Sequence, residues 1–373
     1  MPLNVAIVGA GPGGFYTAAA LIKEIPDCKV DVIDKLPTPF GLIRAGVAPD
    51  HQSSKKIAKV FERTAMEDNV RFLGHVAVGN KGNGGDVSVD ELREMYDAVV
   101  IAIGAPEDRK LGIPGEDLNG VFGSAAFVGW YNANPDHESL GPDLTTGTAV
   151  VIGAGNVALD VARLIAKTQE EVSVTDMADH AVDEIGRSPL TDVYIYARRG
   201  PLQAAFTHKE VKEFGDLHNA VTLVDPAVLP PEDAELDDKG RGNSAKNVAL
   251  MRDYAKNKGD EKPVRIHMEF YARPVEVLGS GKVEAIKMER TEVKDDGACV
   301  GTGEFFEMPC NLVVTCIGTS SVKLDDVPYD EDKQRFINED GKIEEGLYAA
   351  GWAKRGPTGT IATNHPDGVV VAE

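Results

Sequence analysis

The chain has 373 residues and carries 60 Asp plus Glu against 39 Lys plus Arg, a formal charge of −21 that excludes nucleic acid as a main partner. With 42% hydrophobic and 27% charged residues the composition is that of a folded globular protein rather than a disordered one, and the length suits about two domains. The cysteines Cys28, Cys299, Cys310 and Cys316 form no C-x-x-C pair, which excludes a disulfide framework, a thiolate zinc or iron–sulfur site and a dithiol shuttle. The longest apolar run, Ala98 to Ile103, falls far short of the ~20 residues of a spanning helix. A strand pattern starting at Asn4 leaves no room for a targeting peptide, so a cytoplasmic protein is expected.

The first predicted strand is the β-branched run Val5-Ala6-Ile7-Val8. It ends in Gly9-Ala10-Gly11-Pro12-Gly13-Gly14, after which apolar residues at Ala18, Leu21, Ile22 and Ile25 recur at helical spacing. In such a unit Gly9 makes the tight turn, Gly11 lets a pyrophosphate approach the backbone, and Gly14 lets helix and strand pack closely. The helix N-terminus favours the phosphate charge. The second strand, Val30 to Asp34, ends in a carboxylate placed to accept the hydroxyls of an adenosine ribose.

The pattern recurs ~140 residues later. Ala149-Val150-Val151-Ile152 leads into Gly153-Ala154-Gly155-Asn156-Val157-Ala158, then a helix with apolar Val157, Val161, Leu164 and Ile165. Ala158 stands where the fingerprint allows glycine or alanine. Two such units imply two dinucleotides. The strand that follows, Val193 to Tyr196, ends in Arg198-Arg199 instead of an acid. Guanidinium groups offer bidentate hydrogen bonds and charge to a 2′-phosphate, which selects NADP over NAD. The acidic interval from Glu170 to Glu184 is expected to be a surface excursion.

Beyond these turns the chain resembles the ferredoxin-NADP reductases of the adrenodoxin reductase type, within the glutathione-reductase-like flavoproteins. The resemblance rests on Pro37-Thr38-Pro39-Phe40-Gly41-Leu42-Ile43-Arg44, on Gly46 to His51, and on Gly155 to Arg163. It continues in Arg198-Arg199-Gly200-Pro201-Leu202-Gln203-Ala204-Ala205-Phe206-Thr207 and in Gly351-Trp352-Ala353-Lys354-Arg355-Gly356-Pro357-Thr358-Gly359. It implies an α/β fold of two Rossmann-like dinucleotide-binding domains, the NADP domain (106–311) inserted into a split FAD domain (1–105 and 312–373). The apolar segments Ala98 to Gly104 and Leu312 to Gly318 look like the crossings between them.

The resemblance places FAD along Gly9, Gly11, Pro12, Gly13 and Gly14, then Asp34, Lys35, Gly41, Leu42, Val47 and Gly104. Trp352 and Gly359, Thr360 and Ile361 lie beside the flavin ring, where a helix N-terminus favours negative charge. NADPH falls to Gly153, Gly155, Asn156, Val157, Ala158, Arg198 and Arg199. His51 and Glu210 match positions that orient the nicotinamide and relay protons. The resemblance implies that hydride passes from NADPH to FAD and that electrons leave singly to a ferredoxin-like iron–sulfur protein. No metal site is expected.

Ferredoxins are commonly acidic, so docking needs a local exception to the charge of −21. Between Lys239 and Arg265 eight basic residues (Lys239, Arg241, Lys246, Arg252, Lys256, Lys258, Lys262, Arg265) face three acids, a stretch suited to steering such a partner. Members of the family it resembles continue for several tens of residues past the position matching Glu373. Disulfide reduction is disfavoured because the cysteine pair is missing. The alternatives are an electron-input subunit like the small subunit of glutamate synthase, a non-catalytic dinucleotide-binding redox sensor, and a flavin oxidase or hydroxylase.

Overall fold

The computed structural model describes residues 2–232, 244–325 and 327–373, which form two compact units, Met1–Asp108 with Gly318–Glu373 and Arg109–Ile317. The first opens with β1 (Asn4–Val8), α1 (Pro12–Glu24), β2 (Lys29–Asp34), α2 (Ala58–Ala65), β3 (Val70–Gly74), α3 (Val89–Met95) and β4 (Ala98–Ile101). The two-residue alternation of β1 divides its side chains between two cores. Val5 and Ile7 pack with Phe15, Ala18 and Leu21 of α1, and Ala6 and Val8 pack with Val89, Leu92, Val99 and Ile101. Burying each larger aliphatic or aromatic side chain contributes about 1.5–3 kcal/mol, so β1 is anchored on both faces. Helix α3 starts in a reciprocal cap: Glu91 N–H donates to Ser88 Oγ at 3.1 Å and Ser88 N–H to the Glu91 carboxylate at 2.9 Å.

The second unit holds β5 (Val121–Gly123), β6 (Thr148–Ile152), α4 (Asn156–Ile165), α5 (Gln169–Ser173), α6 (Asp179–Arg187) and β7 (Asp192–Ala197). It continues through α7 (His208–Glu213), β8 (Ala220–Val224), α8 (Ser244–Tyr254) and β9 (Val264–Phe270). Then come β10 (Ala272–Leu278), β11 (Ala285–Val293), β12 (Cys299–Pro309) and β13 (Leu312–Thr315). Its main sheet is parallel in the order β5-β13-β6-β7-β9-β8, and β10-β11-β12 form a separate antiparallel sheet. The chain returns to the first unit through β14 (Lys342–Glu344), β15 (Leu347–Ala349), α9 (Trp352–Arg355) and α10 (Asn364–Ala372). That unit's sheet runs β14-β15-β4-β1-β2-β3, parallel except for the β14-β15 pair.

Two expectations need correction. The return to the first unit comes at Gly318, not at residue 312, because β13 is hydrogen-bonded between β5 and β6 in the second unit's sheet. A long apolar strand belongs to whichever sheet pairs with it, and its sequence does not say which. The acidic interval from Glu170 to Glu184, expected as a surface excursion, is built as the helices α5 and α6, whose Val172, Ala181 and Ile185 are buried. Its acids cover the outer side of amphipathic helices.

Candidate functional site

In the first unit, parallel strands lead outward on both sides of β1, in the order β4-β1-β2-β3, which opens a crevice at the carboxyl end of β1. Gly9 holds φ +113°, and a Cβ there would stand 2.3 Å from the Ala102 carbonyl oxygen. At Gly14 a Cβ would meet Gly9 O at 2.0 Å. Both glycines are therefore needed for close packing. Gly11, by contrast, has nothing nearer its would-be Cβ than Gly41 Cα at 3.9 Å, and Gly104 has nothing within 4 Å. Helix α1 has Gly11 at its N-cap with no side-chain cap and no acid in its first turn, so the N–H groups after Pro12 and the positive pole face the crevice.

Tertiary contacts bring distant strings to this turn. Phe40 N–H donates to Ala10 O at 2.8 Å, and Phe40 itself has φ +88°, with its ring 5.4 Å from that of Phe15. Gly13 packs against Gly351, a Cβ on it lying 3.4 Å from Gly351 Cα. Asp34 accepts from Ala10 N at 2.7 Å and from Leu36 N at 2.9 Å, while Lys35 and Leu42 are exposed and Val47 N–H donates to Leu42 O at 2.7 Å. Trp352 opens α9, and its indole N–H is buried with no hydrogen-bond partner. A buried unpaired N–H beside an open glycine turn fits a polar aromatic ligand such as a flavin.

Sequence reasoning missed what holds the Gly359-Thr360-Ile361 loop. Arg355 Nε donates to Thr358 O at 3.0 Å, and its terminal nitrogens pair with Thr363 Oγ1 at 2.9 Å and with the buried carboxylate of Asp367. Asn364 Nδ2 donates to Thr360 O at 3.1 Å and to Ile361 O at 2.9 Å. Burial pulls the Arg355 guanidinium below its ordinary pKa. No local spacing in a glycine- and proline-rich loop announces such a clamp.

The second unit repeats the architecture. Gly153 has φ +147°, with a would-be Cβ 2.3 Å from Cys316 O, and Gly155 has nothing within 4 Å. Helix α4 starts at Gly155 without a side-chain cap; Asn156 Oδ1 accepts from Thr207 N at 2.8 Å, Val157 is exposed and Ala158 is buried against the strand layer. Ala205 N–H donates to Ala154 O at 2.7 Å, which ties the Arg198 to Thr207 string to the glycine turn. Arg198 and Arg199 follow β7 directly, both exposed, and neither guanidinium has an ion-pair partner among the described residues. Uncapped helix N-terminus, open glycine and two free guanidinium groups make a cradle for a phosphorylated dinucleotide.

The remaining expected residues sit as follows. His51 is half-buried, ahead of the short helix Gln52–Lys55 in the first unit, and Glu210 is buried on α7 in the second. Lys239 and Arg241 lie outside the described residues. Of the other members of the basic stretch, Arg252 donates to Pro230 O at 3.0 Å and Pro231 O at 2.8 Å, Lys262 to Leu217 O, and Arg265 Nε to Asp192 at 2.7 Å. Lys246, Lys256 and Lys258 are exposed. Among the described residues, no helix is long and apolar enough to cross a membrane.

Residues 3–197 match the family described as pyridine nucleotide-disulphide oxidoreductase. The NADPH-ferredoxin reductase FprA of Mycobacterium tuberculosis is 44% identical over 98% of this chain and 82% of its own length. The chain belongs to this oxidoreductase family, in the branch of the NADPH-ferredoxin and adrenodoxin reductases. The mitochondrial NADPH:adrenodoxin oxidoreductase of Homo sapiens is 39% identical over 99% of this chain and 77% of its own. The structure of Mycobacterium tuberculosis FprA in complex with NADPH superposes with a TM-score of 0.95 at 42% identity, covering 100% of this chain and 83% of that one.

Proposed function

We propose that this protein is an FAD-containing NADPH:ferredoxin oxidoreductase, with FAD held by the first unit and NADPH by the second. The observation that carries the reading is the repeated open glycine turn on an uncapped helix, followed in the second unit by the unpaired Arg198-Arg199. FAD held there would supply two-electron acceptance from NADPH and one-electron release, which would match a two-electron donor to a one-electron iron–sulfur acceptor. The names of the 44% and 39% identical relatives support a ferredoxin-type acceptor.

The chain's own residues bind and orient. Gly9 to Gly14 and the α1 N-terminus take the FAD pyrophosphate, Asp34 the ribose, and Gly41, Leu42, Val47 and Gly104 line its path. Gly359, Thr360 and Ile361 lead into α10, whose N-terminal N–H groups favour negative charge on the ring. Trp352 offers its indole N–H. In the second unit Gly153 to Ala158 receive the NADPH pyrophosphate, and Arg198 and Arg199 its 2′-phosphate. His51 and Glu210 orient the nicotinamide and hold the protons exchanged nearby, a role supported by the family strings around them.

The acceptor docks by charge on the basic stretch, of which Lys246, Lys256 and Lys258 are the exposed described members. Sparse cysteines with no C-x-x-C pair support a reducing, cytoplasmic setting. Anaerobic titration of the flavin with NADPH and with NADH, then addition of ferredoxin and cytochrome c, tests the reading. Bleaching at much lower NADPH than NADH and ferredoxin-dependent cytochrome reduction are expected. A flavin that neither nucleotide reduces overturns it. His51→Ala and Glu210→Ala are each expected to slow bleaching by about tenfold, and unchanged rates and NADPH affinity remove that assignment.

A further inference from the structure

Arg198 is the first residue beyond the β7 ladder, so its carbonyl has no strand partner on that side. Thr291, on β11 and 5% exposed, fills the gap: its Oγ1–H donates to Arg198 O at 2.7 Å. The Cys299 thiol of the next strand donates to the same oxygen at 2.9 Å, but a thiol is a weak donor. Thr291 also binds through its main chain. Its N–H donates to Tyr271 O at 2.9 Å, and Tyr271 N–H in turn donates to Arg199 O at 3.4 Å. Tyr271 sits at φ +57° between β9 and β10, a conformation that needs such support. Its ring lies so close to Gly200 that a Cβ there would stand 2.1 Å from the hydroxyl.

We propose that Thr291 is a positioning residue for NADPH selection: from the antiparallel sheet it fixes the main chain of Arg198-Arg199 so that both side chains extend toward the 2′-phosphate from one fixed origin. This rests on the reading of that pair as the 2′-phosphate site. Bidentate recognition depends on where two forks can reach, and the main chain of Arg198-Arg199 sets the origin and direction from which both exposed side chains extend. Without the hydroxyl, the Arg198 carbonyl keeps only the thiol and tilts to find another donor, carrying both side chains with it. Thr291 meets the cradle through the Arg198 carbonyl, not through a guanidinium group.

The test compares NADPH with NADH in steady-state reduction of ferricyanide by the flavin-loaded protein. Thr291→Val is expected to raise KM for NADPH about tenfold while kcat and both NADH parameters stay within about twofold, and Thr291→Ser restores the wild-type NADPH-to-NADH ratio. An unchanged ratio, or parallel losses with both nucleotides, overturns the proposal. Should Thr291→Val not fold, Thr291→Ala serves in its place, and failure of both to fold makes the residue purely structural and overturns it as well. Arg198→Ala and Arg199→Ala separate the two readings. If they lower the ratio and Thr291→Val does not, only the Thr291 role fails, whereas if they leave it unchanged the 2′-phosphate site itself is wrong. Thr291→Val added to Arg198→Ala is expected to lower the ratio less than it does alone.

Discussion

The Asp34 carboxylate closes on the main-chain N–H of Ala10 at 2.7 Å, binding the end of the second strand to the glycine turn that follows the first. Its other oxygen accepts Leu36 N–H at 2.9 Å. Hydrogen bonds to an ionised acceptor are worth about 1.5–3 kcal/mol each. Asp34→Ala is therefore expected to loosen the turn as well as remove the ribose acceptor. The purified variant should carry less than about a tenth of the wild-type flavin, read from its visible absorbance against protein. Full flavin content would show that the turn stands without the carboxylate.

Two glycines of the second unit separate binding from folding. Gly155 has no neighbour within 4 Å of a Cβ, so Gly155→Ala should leave the melting temperature within about 2 °C while its methyl occupies pyrophosphate space and weakens NADPH about tenfold or more. Gly153→Ala forces a methyl against Cys316 O at a positive φ, and should destabilise by about 2 kcal/mol or more. Thermal melts with and without NADPH distinguish them. Equal loss of stability in both variants contradicts the assignment of Gly155 to ligand contact.

Arg355 and Asp367 form a pair whose breakage costs more than its replacement. Asp367 is 8% exposed, with Lys354 Nζ at 3.4 Å as a second, weaker partner. Arg355→Met leaves the carboxylate under-compensated and should destabilise by about 3 kcal/mol, whereas Arg355→Met with Asp367→Asn should recover part of it. Chemical denaturation of the wild type, Arg355→Met, Asp367→Asn and the double variant gives the coupling. Additive losses would mean the two residues act separately.

Asp192 gives the fold a pH dependence. It accepts Arg265 Nε at 2.7 Å, His267 Nε2 at 2.9 Å and Thr191 Oγ1 at 2.9 Å, and the Arg265 hydrogen bond holds its carboxyl well below the usual carboxylate range. The folded value lies below the unfolded value of about 4, so the stabilisation is complete above about pH 4 and is lost as pH falls through the folded value. Asp192→Asn should destabilise by about 1 kcal/mol at pH 7, a figure kept small because Arg265 is 37% exposed. The difference from wild type should shrink below about pH 4. A difference independent of pH would place the effect in packing.

The two strand–glycine–helix units were legible in the sequence because each is encoded within a few tens of consecutive residues, where period, turn glycine and following helix constrain one another. The same locality made the exposed Arg198-Arg199 visible at the end of β7. The edge of the inserted unit was not legible, since Leu312 to Gly318 reads as buried strand whichever sheet it joins, and only its pairing with Thr148–Ile152 assigns it. Nor were the helices of the acidic interval from Glu170 to Glu184, where helix spacing hid beneath the acids.

The sequence by itself determined the α/β class, the two dinucleotide turns and the family, all of which follow from contiguous residues. Tertiary structure alone decided which distant segments reach those turns. Gly351 lies against Gly13, Arg355 braces the loop before α10, and Thr291 binds a carbonyl 93 positions earlier in the chain. Such contacts depend on strand order and register over long separations, for which a residue's own neighbours in sequence carry no signal.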